Sequence, residues 1–473
     1  MKVKTISRND RDYQRQNKLE VHKVQRNYAP ELHQFERARE YTRALAATKL
    51  DKVFAKPFVA ALDAHEDGIT SMTTVPGSLG YAVTGAADGE VICWHLKNRE
   101  LLWRTRAHSS LVRGVTVDRN GKVAVTVGQD GSIHAWALDR EVDHLGVTEH
   151  GVGRGREVDA LHSYETQSQL TEVDYTWDTG SHVFATSGEQ VSLWDLNRST
   201  PVHSFTWGID TVRNVRFNRV QHSVLASVGA DRSIVLYDTR QRSALRKVTL
   251  RMQSNDLCWN PREAFNFSVA CEDHRAYTFD MRKLNRALNV HKVACTRFLS
   301  VRLYACEQDH VNAVLSIDYS PTGREFVTGS YDRTVRIFDA RNGHSRDVFH
   351  TQRMQRVFAV RFSQDSKYVL SGSDDANLRI WKSNAAQQRG VLSQREREKH
   401  EYHEQLKKRY MQVDEVRRIA RHRHLPKAIK KQQQAKHLAS KNARIKEERV
   451  RRHTKNMPRK RPERSNHIVK EHQ

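Results

Sequence analysis

Serine or threonine, histidine and aspartate recur through this chain at spacings that would suit hydrolytic chemistry. A hydroxyl stands four residues before an aspartate at Thr84/Asp88, Thr126/Asp130, Ser227/Asp231, Thr328/Asp332 and Ser371/Asp375, and His65, His108 and His310 precede three of these pairs. A nucleophile activated by an imidazole and oriented by a carboxylate is needed once in an enzyme. Here the set returns at fixed spacing, as packing requires, so these residues are read as structural. A tight turn buried between neighbouring elements leaves backbone N–H groups that such side chains satisfy. No phosphate-cradling Gly-x-x-x-x-Gly-Lys-Ser/Thr run and no paired-cysteine zinc spacing is present. The chain is therefore expected to be non-enzymatic, without cofactor or bound metal.

The repeating unit is best displayed by Thr328 to Ala340: a strand end, a tight turn at Asp332, and a second strand alternating Val335 and Ile337 with Arg336 before Phe338-Asp339. That is a hairpin with one buried face. The pattern closes on Trp94, Trp136, Trp194, Tyr237, Phe279, Phe338 and Trp381, at intervals of 42, 58, 43, 42, 59 and 43 residues. An aspartate lies six residues before the aromatic at Asp88, Asp130, Asp231, Asp273, Asp332 and Asp375; only the third unit departs, with Gly188. A period near 43 residues with two insertions matches WD-repeat propeller blades. The expected fold is all-β, a seven-bladed WD40 propeller over 57–382, flanked by a basic N-terminal arm (1–56, with one or two short helices) and a basic, partly helical extension (383–473).

Several local readings follow. Phe58–Leu62 has no neighbouring strand to pair with and is expected to close the ring on the last blade, removing exposed edges. Residues 139–163 read as a solvated loop, whereas Val293–Glu307 is unusually apolar for a connection. Ser393-Gln394-Arg395-Glu396 fits a capping box. Tyr402, Leu406 and Tyr410, then Val413, Val416 and Ile419, form a thin helical stripe expected to pack on the propeller or a partner. Little apolar surface offsets ordering of the isolated tail, which is expected to be disordered or only partly helical.

The five cysteines (Cys93, Cys258, Cys271, Cys295, Cys306) are expected to be free thiols in a reducing compartment. No signal peptide is legible at the N-terminus, so the glycosylation sequons at Asn197 and Asn266 carry no weight. The formal charge is +25, and its position matters more than its size. Residues 1–56 hold 14 Lys+Arg against 7 Asp+Glu, residues 383–473 hold 27 against 10, and the propeller between them 39 against 38. The excess lies on the arms. In the tail it is concentrated at Arg417, Arg418, Arg421, His422, Arg423 and His424, then Lys430, Lys431, Arg451, Arg452, Arg459, Lys460 and Arg461. Such density suits phosphate neutralisation with counterion release. The alternatives are a nuclear-import signal at 459–461 or a docking strip for acidic proteins. His422 and His424 lack a third metal ligand nearby.

Beyond the repeats, Arg26–His33, Arg39-Glu40-Tyr41, Ala47–Leu50, Phe54–Phe58, His344–Asp347, Met354–Val357, Gly372–Asp375 and Arg418–Pro426 together resemble the Sof-type WD-repeat proteins over nearly the whole chain. The resemblance implies a nucleolar assembly factor of the small-subunit processome. Such a factor is associated with the U3 ribonucleoprotein and needed for processing of precursor RNA toward 18S rRNA. Processome proteins, U3 RNA and 18S precursor RNA are the implied partners. A second reading starts from Asp238/Arg240, Asp280/Arg282 and Asp339/Arg341, which resemble the Asp-x-Arg element of propeller substrate receptors at the adaptor of cullin-4 ubiquitin ligases. Against it, an Asp after the closing aromatic belongs to the repeat. Neither a membrane nor a small-molecule substrate is expected.

Overall fold

The computed structural model describes residues 34–138, 158–178, 182–206, 210–291, 310–341, 343–387, 390–455, 462 and 464–472. Val293–Glu307 and Arg459, Lys460 and Arg461 lie outside them. The described chain falls into two units, residues 1–56 with 386–422, and residues 57–385 with 423–473.

The larger unit is a ring of seven antiparallel sheets. In six blades the strands follow chain order from the innermost outward. The inner strands Ile69–Thr74, Val112–Val117, Glu172–Tyr175, Val212–Phe217, Ser254–Trp259, Val314–Tyr319 and Val357–Phe362 each pack on the next, and the last returns to the first. Closure is by the expected device: Phe58–Leu62 pairs antiparallel with Leu378–Lys382, Leu62 opposite Leu378 and Phe58 opposite Trp381. Seven apolar clusters, most of them shared between adjoining blades, fill the ring. The loop expected over 139–163 is shorter at its C-terminal end, because His162–Glu165 forms the outer strand of the second blade.

Five of the seven hairpin turns before a closing aromatic are built alike. The turn aspartate accepts the backbone N–H two residues on, from Glu90 (3.0 Å), Ser132 (3.1 Å), Ser233 (3.0 Å), Arg275 (3.2 Å) and Thr334 (3.0 Å). The residue after it is left-handed in six blades: Gly89, Gly131, Arg232, His274, Arg333 and Ala376. Four of these carry a side chain in a conformation that costs about 1–2 kcal/mol, which the carboxylate–amide bond offsets at Arg232, His274 and Arg333.

The smaller unit contains α1 (Glu36–Val53), α2 (Gln394–Tyr410) and α3 (Asp414–Arg421). One 18-residue helix thus replaces the one or two short helices expected near the N-terminus. The Ser393 hydroxyl and Glu396 form the expected capping box. The stripe expected to face the propeller or a partner instead meets the chain's own α1. Leu406 and Val416 are buried, Tyr410 packs on Tyr41 with ring centres 6.2 Å apart, and Arg43 donates to Tyr402. Ion pairs Lys407–Asp51 and Arg409–Glu40 flank this seam.

The fourth helix, α4 (Lys427–His453), and the strand Ile468–His472 belong to the propeller unit. The basic tract is not one continuous helix, since α3 ends at Arg421 and His422–Pro426 is extended ahead of α4.

Candidate interaction surfaces

The Ser/Thr–His–Asp sets lie inside the blades. The Trp94, Trp136, Trp194 and Trp381 indoles donate to Thr84 (2.8 Å), Thr126 (2.9 Å), Thr186 (2.9 Å) and Ser371 (2.7 Å). Those hydroxyls also meet His65 (2.6 Å) and His108 (3.0 Å), and Thr328 meets His310 (2.7 Å). The three histidines and three threonines are buried. A hydroxyl already hydrogen-bonded between an imidazole and an indole, and closed to solvent, is not placed to attack a substrate. Thr186 does in the third blade what the sequence pattern, broken at Gly188, did not reveal.

One assignment needs correction. Asp88 was expected to complete the set with His65, but it serves only the turn; the carboxylate facing His65 is Glu90, at 3.5 Å, which also pairs with Arg104. The substitution arises because Glu is one methylene longer and reaches inward from the first strand position. In the sixth blade the expected arrangement holds, with His310 Nδ1 3.0 Å from Asp332. Burial opposes the charge on Asp332, yet His310, Arg336 and Thr334 hold its carboxyl well below the usual range. Asp231 instead pairs with Lys247 (2.7 Å), and Asp375 with Arg379.

The three Asp-x-Arg elements occupy equivalent turns on consecutive blades, between the third and outermost strands. In each the Asp accepts the backbone N–H of the Arg, at 3.0 Å for Arg240, 2.9 Å for Arg282 and 3.1 Å for Arg341. The Asp therefore shapes the turn. The arginines differ. Arg282 is tied to Asp280 through Nε (3.1 Å) and Nη2 (2.9 Å) and lies 4.2 Å over the Phe265 ring. All three arginines are exposed, and Arg240 and Arg341 have no such tie to their own aspartates.

The basic tail residues are distributed among three settings. Arg417, Arg418 and Arg421 are on α3 of the smaller unit. Arg423 and His424 run along the outer strand of the sixth blade, where Arg423 reaches Ser345 and His424 lies 5.6 Å from His350. On α4, Ile429 and Gln433 are buried and Lys436 donates to the Val311 carbonyl, so the first turns pack on the blades. Lys430 and Lys431 point outward there. From Leu438 to the helix end every residue is exposed, including Lys441, Arg444, Lys446, Arg449, Arg451 and Arg452. Basic side chains thus cover a projecting helical segment, with Glu448 paired to Arg452 at 3.3 Å. Lys436 and Gln433, which seat the helix, carried no signal in the sequence because neither belongs to an apolar period. Among the described residues no cluster of three metal-ligating side chains occurs.

A family model for the Sof1-like domain matches residues 383–468, and WD domain, G-beta repeat models match 56–95, 99–137, 302–339 and 343–382. "DDB1- and CUL4-associated factor 13" of Xenopus laevis is 45% identical over 455 residues, covering 96% of either chain. "Protein SOF1" of Saccharomyces cerevisiae is 41% identical over 470 residues, covering 97% of this chain and 92% of that one. The chain belongs to the Sof1 family. Its human relative, again "DDB1- and CUL4-associated factor 13", is 43% identical over 447 residues and 94% of both chains. Among solved structures, the WD40 propeller domain of Doa1 superposes with a TM-score of 0.54 at 16% identity, covering 69% of this chain and 96% of that one, a likeness of fold alone. The Sof1-like match takes in α2, α3, α4 and the start of the final strand, so the family's own signature is the helical extension that spans both units.

Proposed function

We propose that this Sof1-family chain is a non-enzymatic assembly factor of the nucleolar small-subunit processome, acting in processing of precursor RNA toward 18S rRNA. The propeller serves as a rigid docking platform and the outer half of α4 as an RNA-contacting arm. The observation that carries this reading is the projecting segment 438–453, where basic side chains stand clear of the blades on a helix whose first turns are anchored. Anchoring limits the ordering entropy lost on binding, while exposed Lys and Arg release counterions from phosphates. U3 RNA, 18S precursor RNA and processome proteins are the partners this reading requires, and the nucleolus its site.

The test is purification of the tagged full-length chain from cells at graded salt, with sequencing of the copurifying RNA. Enrichment of U3 and 18S precursor RNA that is lost at lower salt when Lys441, Arg444, Arg449 and Arg451 are changed to Ala is the expected result. Absence of such RNA from the unmodified chain overturns the reading.

A second role, as a receptor at a cullin-4 ligase adaptor, is favoured by the exposure of Arg240, Arg282 and Arg341 on equivalent turns and by the names of the vertebrate relatives. Arg282, already chelated by Asp280, contributes less. The double change Arg240→Ala, Arg341→Ala is expected to abolish adaptor capture and leave RNA recovery intact; capture equal to that of the unmodified chain removes this role.

A further inference from the structure

The end of the chain completes a pocket at the junction of the fourth and fifth blades. Ile468–His472 adds a fifth strand to the fourth blade, pairing with Ala244–Leu250 so that His472 lies opposite Lys247 and Ile468 opposite Leu250. Ile468 enters the apolar cluster of these blades, and the Arg251 N–H donates to the His467 carbonyl at 2.9 Å. His467 is thereby pressed onto the Tyr277 ring, with ring centres 4.0 Å apart and planes 19° from parallel.

This histidine is only 7% exposed, yet neither ring nitrogen has a hydrogen-bond partner among the described residues. It lines a cavity of about 180 Å³ together with Arg251, Arg275, Asp273, Tyr277 and Asn466. The two guanidinium groups make no hydrogen bond or ion pair with any described residue, and both are close enough to oppose protonation of the imidazole. The carboxylate present, Asp273, is already committed: it accepts the Tyr277 hydroxyl and the Arg275 backbone N–H. Two guanidiniums without a hydrogen bond or ion pair among the described residues, Arg275 being near enough to Asp273 to favour its charge, an imidazole N–H and one engaged carboxylate leave a concave site with donors in excess. The guanidiniums reach solvent, Arg251 exposed and Arg275 half-buried; the buried donor is His467, whose lack of a partner costs about 1–3 kcal/mol, so a group that accepts from it between the two arginines is favoured there.

We infer that Arg251, Arg275 and His467 form a binding site for a phosphate group, assembled only when the C-terminal strand is docked. Guanidiniums match phosphate oxygens in a planar fork, and the cavity has room for a phosphate with part of its ester. The Tyr277–His467 stack supplies a flat wall. Because Asn466 and His467 come from the tail, ligand binding and strand docking reinforce one another. This inference does not depend on the role of α4, which lies on other residues.

The experiment titrates the full-length protein with inorganic phosphate, with uridine 5′-monophosphate and with a short RNA lacking a terminal phosphate, reading heat of binding and thermal midpoint. Arg251→Gln, Arg275→Gln and His467→Phe are compared; the last keeps the stack and removes the nitrogens. Saturable binding of at least one probe, weakened ~10-fold or more in either arginine variant and also in His467→Phe, is expected. Preference for the monophosphate points to a chain end or free nucleotide, preference for the RNA to a backbone phosphate, and preference for phosphate to the free ion. Binding unchanged in the three variants, or no saturable binding of any probe, overturns the assignment. Circular dichroism and an unchanged midpoint without ligand establish that the variants are folded.

Discussion

At the scale of residues, the blade turns show how one carboxylate fixes a backbone that side chains resist. Gly89 has φ +89°, and a Cβ there would sit 2.1 Å from the His108 carbonyl oxygen. Gly77 has a similar φ of +73° with open space around it. Gly89→Ala is therefore expected to cost about 2 kcal/mol or more through displaced backbone, against about 1 kcal/mol for Gly77→Ala. Chemical denaturation of the two variants checks this ordering. The buried histidines give the fold a pH dependence. Burial, then His134, push the His108 imidazole down to about 4, with Asp130 partly opposing them. Burial would raise Asp130, but hydrogen bonds from Ser132 and the Ser109 N–H bring it to about 2. Both groups bind protons more readily when unfolded, so stability is present at neutral pH and falls on acidification: for His108 between about pH 6.5 and 4, for Asp130 below about 4. For His108 the loss by pH 5 is about 2 kcal/mol. Thermal midpoints should drop over that range, and His108→Gln should flatten the upper part of the curve.

At the scale of elements, two strands from the ends of the propeller unit close edges in different ways. Phe58–Leu62 completes the seventh blade and joins the ring, whereas Ile468–His472 covers an edge on a blade that already has four strands. An uncovered outer strand is a template for further pairing. Ile468→Asp places a charge in the cluster that holds the last strand, and the strand is expected to detach. Faster amide exchange confined to Ala244–Leu250, with a modest fall in thermal midpoint, is the outcome; unchanged exchange there would show that backbone pairing alone holds the strand.

At the scale of the molecule, a nearly neutral ring carries strongly basic appendages, and charge of this kind acts through salt-dependent association rather than through fold. If Lys441, Arg444, Arg449 and Arg451 each contact an RNA phosphate, changing all four to Ala lowers the slope of log affinity against log salt by about 3 for single-stranded RNA. Filter binding or fluorescence anisotropy from low to moderate salt measures it. An unchanged slope would move the RNA contact to another part of the chain. Changing Arg417 and Arg418 instead separates the contribution of the smaller unit from that of α4.

The ring is written in the chain's own repeat. Seven aromatics at nearly equal spacing, the aspartate six residues before six of them and an orphan first strand specify blade number, turn position and closure, because each blade buries its hairpin by the same local chemistry. The capping box at Ser393 was legible for the same reason. Other features depend on contacts between residues far apart in the chain and emerge only on folding. Glu90 in place of Asp88 opposite His65 turns on the reach of a side chain across a blade. Helix α2 packs on a helix some 350 residues earlier, and periodicity names an apolar face but not its partner. The pocket at Arg251, Arg275 and His467 unites two blades with the end of the chain. No local pattern records it, because none of the three residues is unusual until the last strand brings them together.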